Sequence, residues 1–291
     1  MSAPAGEEDR SLREMLALAE EVRGHPTLPG FLRLLWQVVR RPLRHPVGVI
    51  LASTAVLFAA WGRDGELPWL HTLWSGWRPA TDPAGRPSII AGLPWDQEWI
   101  SFAAGFVLLV VIPCAIAKLW FHHDLRDYGL GLPDRNRARL ATFSAVFLLL
   151  AAIVPFLFAT GDEGMKATYP LYRGPLDGWD FVAYEAGYFV FFVVIEFVFR
   201  GWLLLGLFSV KDRDALPEAT GERGPLLFGY YALLISQIAY TAWHLGKPTP
   251  ELLGTLVWGP VAGAVVLLTR SIWPIVVVHF ALNVLLDLFL K

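Results

Sequence analysis

The chain has 291 residues and a formal net charge of −2, and it is 55% hydrophobic with only 17% charged residues. Soluble domains contain about 25% charged residues, so this composition predicts a membrane protein. The near-neutral charge gives no electrostatic basis for binding nucleic acid, and we expect no such partner. A single cysteine, Cys114, excludes an intramolecular disulfide framework and a multi-cysteine metal site.

Residues 1–45 differ in character from the rest of the chain. They begin with no basic stretch leading into an apolar one, so we expect no cleaved signal peptide. Leucine, valine and tryptophan then alternate with four arginines, namely Arg33, Arg40, Arg41 and Arg44. This pattern is typical of a helix lying on an anionic lipid surface, and equally of a basic cluster beside the first membrane span.

Seven apolar segments follow, and most approach the ~20 residues that a helix needs to cross a bilayer. Only helices and closed barrels span membranes, and these runs are continuous rather than alternating. We therefore predict an all-α, polytopic transmembrane helical bundle of about seven spans, of which the first is the shortest. The segments are 46–62, 98–120, 138–159, 181–209, 225–245, 251–269 and 272–290.

Lysine and arginine predict the orientation of these spans. They are concentrated before the first span and in the loops after the second and fourth, whereas loops 63–97 and 160–180 are rich in proline, glycine, tryptophan and acidic residues. The positive-inside rule then places the N-terminus in the cytoplasm. We predict three parts: an interfacial segment 1–45, three transmembrane helices within 46–160, and a four-helix core within 181–290.

Polar residues in the last four spans are the candidates for function. Glu196 and Arg200 are four residues apart and share a helix face, as do His279 and Asn283, and His244 ends the fifth apolar run. A charged side chain at the centre of a membrane helix costs about 2.5–3.5 kcal/mol, so each of these groups needs a partner or a use.

Several uses agree with these residue types. The pairs could be an internal salt bridge and ordinary interhelical hydrogen bonds. A carboxylate or imidazole could instead take a proton from an attacking water, and an imidazole with an amide could stabilise an oxyanion. Glu196, His244 and His279 could also hold a divalent metal such as zinc. Spacing alone does not decide among these alternatives.

Three short motifs resemble those of one family. The run IEFVFRGWLL at 195–204 resembles the EExxxRG motif of the CAAX protease and bacteriocin-processing (CPBP, or Abi) family of intramembrane endopeptidases. YTAWH at 240–244, with three residues between an aromatic residue and a histidine, resembles the second motif, and HFALN at 279–283 resembles HxxxN. The motifs stand in the family's order, and the resemblance covers about 181–290.

The resemblance implies a function and a role for each matching residue. Glu196 matches the second glutamate of the first motif, Arg200 its arginine and His244 the histidine that pairs with the activated water. His279 and Asn283 match the pair thought to hold the oxyanion. An intramembrane endopeptidase acting on a membrane-anchored protein or peptide is therefore expected, in a bacterial cytoplasmic membrane. Members have been described both as metallopeptidases and as metal-free glutamate peptidases.

One position departs from the family pattern. Ile195 stands where the family has its first glutamate, the residue usually assigned as the base. Glu196 could serve as base in a variant site, or Glu185 could substitute, although it lies eleven residues away, or ~16 Å along a helix. Alternatively, the chain is an inactive relative that binds a partner or confers bacteriocin immunity. A transporter is disfavoured because the spans show no inverted repeat.

Overall fold

The structure is a computed structural model that describes residues 17–23, 27–40, 46–62, 80–81, 87–88, 96–171, 178–208 and 231–290. The chain divides into two compact units, Met1–Ser53 and Thr54–Lys291. The predicted fifth span begins at 225, and its residues 225–230 lie outside the described ranges, as do the basic residues of the loop after the fourth span.

The first unit contains a helical stretch at 17–23 and helix α1, Leu28–Arg40. Four large apolar side chains of α1 are exposed, and their spacing puts them on one helical face. An exposed apolar face is what a helix on a lipid surface requires. These side chains are Leu28, Leu32, Leu35 and Trp36.

The described residues beyond α1 are almost entirely helical, which confirms the predicted all-α bundle. Only two paired strands of two residues each, Ala80–Thr81 and Pro87–Ser88, interrupt the pattern. The helices are α2 (Pro46–Trp61), α3 (Asp96–Phe106), α4 (Arg135–Gly161), α5 (Glu163–Thr168), α6 (Trp179–Glu196), α7 (Tyr231–Trp243), α8 (Thr249–Thr269) and α9 (Trp273–Leu290).

Two of these helices continue into π-helical turns. After α3 the chain remains helical through Val107–Val111, Ile112–Ala115 and Ile116–Trp120. After α6 it forms a nine-residue π-helix, Phe197–Leu205, and a last α-turn, Gly206–Phe208. Long π-helical stretches are rare and often lie at functional sites, and this one holds all of the first family-like motif except Ile195 and Glu196, which end α6.

The helix formed by α6 and its π-helical extension is the centre of the second unit. It is 89% buried over its most apolar window, against 17% for the span Arg137–Gly161. α6 packs against α3 and α9, and its π-helical extension packs against α7 and α8. The polar groups of the first motif are therefore enclosed by four other helices.

Glycines on α8 allow α7 to approach closely. A Cβ at Gly259 would collide with the Gln237 amide, and one at Gly263 would collide with Leu233. This close approach allows a hydrogen bond between the helices, because Gln237 Nε2 on α7 donates to the Thr255 carbonyl on α8 at 2.9 Å. The same nitrogen also donates to Thr241 Oγ1 on α7 at 2.8 Å. Small residues and side-chain hydrogen bonds are common means of helix association in membranes.

Five helices are long and apolar enough to cross a membrane: Ser101–Trp120, Arg137–Gly161, Trp179–Phe208, Thr249–Thr269 and Trp273–Leu290. The other two predicted spans coincide with shorter described helices, α2 with 16 residues and α7 with 13. Five of the seven predicted spans therefore correspond to helices long enough to cross a membrane, and the other two correspond to shorter helices in the predicted places.

Candidate active site

Glu196 and Arg200 form a buried ion pair at the point where α6 becomes π-helical. Arg200 Nε lies 3.4 Å from Glu196 Oε2, and the two side chains are 1% and 0% exposed. The terminal nitrogens Nη1 and Nη2 of Arg200 make no hydrogen bond within the described residues. Buried donors without a protein partner are normally satisfied by ordered water or a bound group.

Glu196 also contacts His279 across the interface between α6 and α9. His279 Nδ1 lies 2.7 Å from Glu196 Oε1, a short contact that joins the first and third motifs directly. The imidazole packs between the rings of Phe192 and Trp258, with centroid distances of 4.4 and 5.2 Å. A carboxylate on Nδ1 orients the ring and leaves Nε2 as the nitrogen that can act on a substrate.

Asn283 lies one turn beyond His279, in a second polar group at the same interface. Its Nδ2 donates to Asp287 Oδ2 at 3.3 Å, and both side chains are buried. Glu185 of α6 faces these two residues and is 5% exposed. The amide of Asn283 has two N–H groups, and Asp287 accepts one of them.

His244 belongs to a different group of side chains, beside the start of α8. Its Nδ1 lies 2.7 Å from the Tyr240 carbonyl oxygen, and its Nε2 lies 3.7 Å from Glu251 Oε1. Glu251 Oε2 accepts a hydrogen bond of 2.8 Å from the hydroxyl of Tyr169. His244 is 4% exposed, whereas the Glu251 side chain is 20% exposed.

Tyr240 connects the two groups of polar residues. The Arg200 guanidinium carbon lies 3.9 Å from the centre of the Tyr240 ring, and that ring lies 4.4 Å from the His244 ring. The predicted site residues are thus linked by contacts from His279 through Glu196, Arg200 and Tyr240 to His244. They do not form one compact cluster, because Glu196 pairs with His279 while His244 faces Glu251.

The residues that could hold a metal are not gathered in this arrangement. Within the described ranges, no group of three or more histidine, cysteine, aspartate or glutamate side chains could hold a metal ion. The set named from the sequence, Glu196, His244 and His279, is not such a group, because Glu196 pairs with His279 while His244 faces Glu251.

Ile195 is 1% exposed and lies within the core of α6. No carboxylate occupies the position where the family has its first glutamate, and adjacent helix residues point about 100° apart. Glu185, which lies beside Asp287 and Asn283, belongs to the second polar group of the interface rather than to the Glu196 pair.

A comparison with family models identifies the family that this part of the chain resembles. Residues 178–285 match the model described as type II CAAX prenyl endopeptidase Rce1-like. These residues form an Rce1-like domain. The match confirms the resemblance to the CPBP family that the three motifs indicated, and all three motifs lie inside it. No curated protein and no solved structure matches the chain.

The Rce1-like domain indicates a membrane protease type of function, and its family acts on membrane-anchored proteins or peptides. Together with the five apolar helices, it indicates an integral membrane protein. The orientation of the N-terminus and the bacterial setting stay predictions.

Several residues of the Rce1-like domain and its surroundings were missed by the sequence reasoning. Asp287 continues the four-residue spacing of His279 and Asn283, so periodicity could have found it. Tyr240 is the aromatic residue of the second motif. Glu251 stands in the glycine-bearing span between the last two motifs, but its pairing with Tyr169 gave no signal, because 82 residues separate the two partners.

Proposed function

We propose that the chain is an intramembrane endopeptidase that hydrolyses a peptide bond of a membrane-anchored protein or peptide. The observation that supports this most directly is the 2.7 Å contact between Glu196 and His279. If Glu196 paired with Arg200 alone, His279 would have no use. The observed contact instead orients the His279 imidazole inside an Rce1-like domain.

In this proposal each side chain has one role. Glu196 holds His279 by Nδ1, so that Nε2–H of the protonated ring donates to the oxyanion. Asn283 adds its second amide N–H to the same oxyanion, and Asp287 orients that amide. His244 accepts a hydrogen bond from the attacking water through Nε2. Arg200 balances the charge of Glu196.

The test is cleavage of anchored substrates in membranes. Wild type is compared with Glu196→Ala, His244→Ala and His279→Ala, using a reporter joined to a membrane anchor through a randomised peptide segment. We expect each substitution to lower cleavage at least 100-fold, the lower range for one acid–base group. Equal processing by all four proteins would contradict an enzymatic role.

One observation favours a second candidate, a non-catalytic membrane protein that binds a partner on the same scaffold. Ile195 leaves the domain without the family's usual base, as an inactive relative would. Such a protein would show no cleavage above background, yet it would capture an anchored peptide in crosslinking experiments, and His279→Ala would leave that capture unchanged.

A further inference from the structure

Glu251 and His244 are placed to share one water molecule. The Tyr240 carbonyl oxygen can only accept a hydrogen bond, so the 2.7 Å contact requires the proton of His244 to be on Nδ1. In the neutral ring Nε2 is then an acceptor, and it faces Glu251 Oε1. As an acceptor, His244 Nε2 needs a donor, and a water between it and Glu251 would supply one.

The distance between these two atoms suits such a donor. His244 Nε2 and Glu251 Oε1 are 3.7 Å apart, which is too long for a direct hydrogen bond. A water oxygen about 2.8 Å from both atoms makes two normal hydrogen bonds, one through each of its hydrogens. The Glu251 side chain is 20% exposed, so water can reach this position.

The surroundings of Glu251 suit a carboxylate and fix its direction. Glu251 lies in the first turn of the 21-residue helix α8, where the helix dipole stabilises a negative charge. The Tyr169 hydroxyl donates to Oε2 at 2.8 Å, which leaves Oε1 facing His244. The position is at the beginning of the span Thr249–Thr269, at the level where a membrane helix meets water.

We propose that Glu251 is the catalytic base of this protein and takes over the role of the carboxylate missing at Ile195, with Tyr169 as its positioning residue. This inference rests on the proposed endopeptidase function. It differs from the roles implied by the family motifs, which lie in α6, α7 and α9, because Glu251 belongs to α8.

The step balances as an ordinary peptide hydrolysis. An O–H bond of the water breaks, its proton passes to Glu251 Oε1, and the water oxygen bonds to the scissile carbonyl carbon. The carbonyl electron pair moves to oxygen and is held by His279 and Asn283. When the oxyanion collapses, the C–N bond breaks, and the proton on Glu251 passes to the leaving nitrogen.

The experiment measures kcat and KM for the anchored reporter with the full chain in lipid vesicles. We expect Glu251→Gln to lower kcat about 100-fold or more with little change in KM. Glu251→Asp should retain part of the activity, and added formate should restore part of it to Glu251→Ala. Tyr169→Phe should cause a smaller loss. Glu163→Gln is the matched control, because Glu163 is an 88% exposed carboxylate.

The outcomes separate this inference from the proposed function. Cleavage by wild type that is lost in His244→Ala but kept in Glu251→Gln overturns the role of Glu251 and leaves the endopeptidase standing. No cleavage by wild type above protein-free vesicles overturns both. Unchanged thermal unfolding of Glu251→Gln excludes misfolding as the cause of a loss, and Glu251→Ala that folds but does not respond to formate contradicts the inference.

A structure in lipid at a resolution that shows water gives a second readout without any substrate. We expect one water within hydrogen-bond distance of both His244 Nε2 and Glu251 Oε1. A direct hydrogen bond of about 2.8 Å between these atoms, with no water, would contradict the inference.

Discussion

The guanidinium carbon of Arg200 lies 3.9 Å from the centre of the Tyr240 ring. This contact joins the first family-like motif to the second, because Arg200 pairs with Glu196 and Tyr240 accepts His244 Nδ1–H through its carbonyl oxygen. The buried guanidinium therefore has two partners, a carboxylate and an aromatic face, and a change to either one affects both motifs.

Removing the aromatic face at Tyr240 should destabilise the fold. Tyr240→Leu loses the cation–π contact, about 0.5–2 kcal/mol, and also leaves a void beside Arg200. Tyr240→Phe keeps the ring and should cost less than Tyr240→Leu. Thermal unfolding in detergent, followed by tryptophan fluorescence, compares the two variants, and equal losses would show that the ring face is not what stabilises Arg200.

The buried ion pair should behave as a unit. Arg200→Met removes one partner of a buried ion pair and leaves Glu196 with His279 alone, and we expect a loss of up to about 3–5 kcal/mol in the free energy of unfolding. Glu196→Gln combined with Arg200→Met removes both charges, so the double variant should be less destabilised than the sum of the single ones. Unfolding titrations in mixed micelles measure the four proteins, and additive losses would contradict this coupling.

Gly201 should not tolerate a side chain. A Cβ at this position would lie 2.5 Å from the Tyr128 carbonyl oxygen and 2.9 Å from Phe197 Cδ2, so Gly201→Ala should cost about 1–3 kcal/mol. Gly254 is the matched control, because a Cβ there meets no heavy atom within 4 Å. Gly254→Ala in the same helical bundle should be neutral or stabilising by up to about 1 kcal/mol.

Restoring the family's acid at position 195 should not restore a base. Ile195 is 1% exposed, so Ile195→Glu places a carboxylate among apolar groups at a cost of several kcal/mol. We expect lower yields of folded protein and no increase in cleavage, with Ile195→Leu as the volume-matched control. A several-fold rise in cleavage by Ile195→Glu would mean that the departure is a catalytic defect and that Glu251 does not replace the missing acid.

Chelation should leave cleavage unchanged. The described residues contain no group of three metal-ligating side chains, and His279 Nδ1 is occupied by Glu196. Cleavage of the anchored reporter is measured before and after treatment with EDTA, and again after zinc is added back. Loss of activity on chelation with recovery on adding zinc would instead favour a metal centre.

The sequence predicted the fold class and the buried motif residues because apolar runs and isolated polar groups are local patterns. It also predicted that Glu196 and Arg200 share a helix face, and the structure places them in contact. It predicted the same for His279 and Asn283, which lie in one interface. The partners of His244 were not predictable in this way. Glu251 faces it only because the turn after α7 brings the start of α8 back, and Tyr169 comes from before the Rce1-like domain.

The contacts between α6 and α9 have a mechanical consequence. Glu196 contacts His279 at one level of this interface, and Glu185 faces Asp287 at another, eleven residues away on α6 and eight on α9. Sliding one helix along the other would break the Glu196–His279 contact and move Glu185 away from Asp287, inside a lipid environment that offers no replacement partners. The pair is therefore locked in register, and any gate through which a peptide reaches the catalytic groups has to open between other helices.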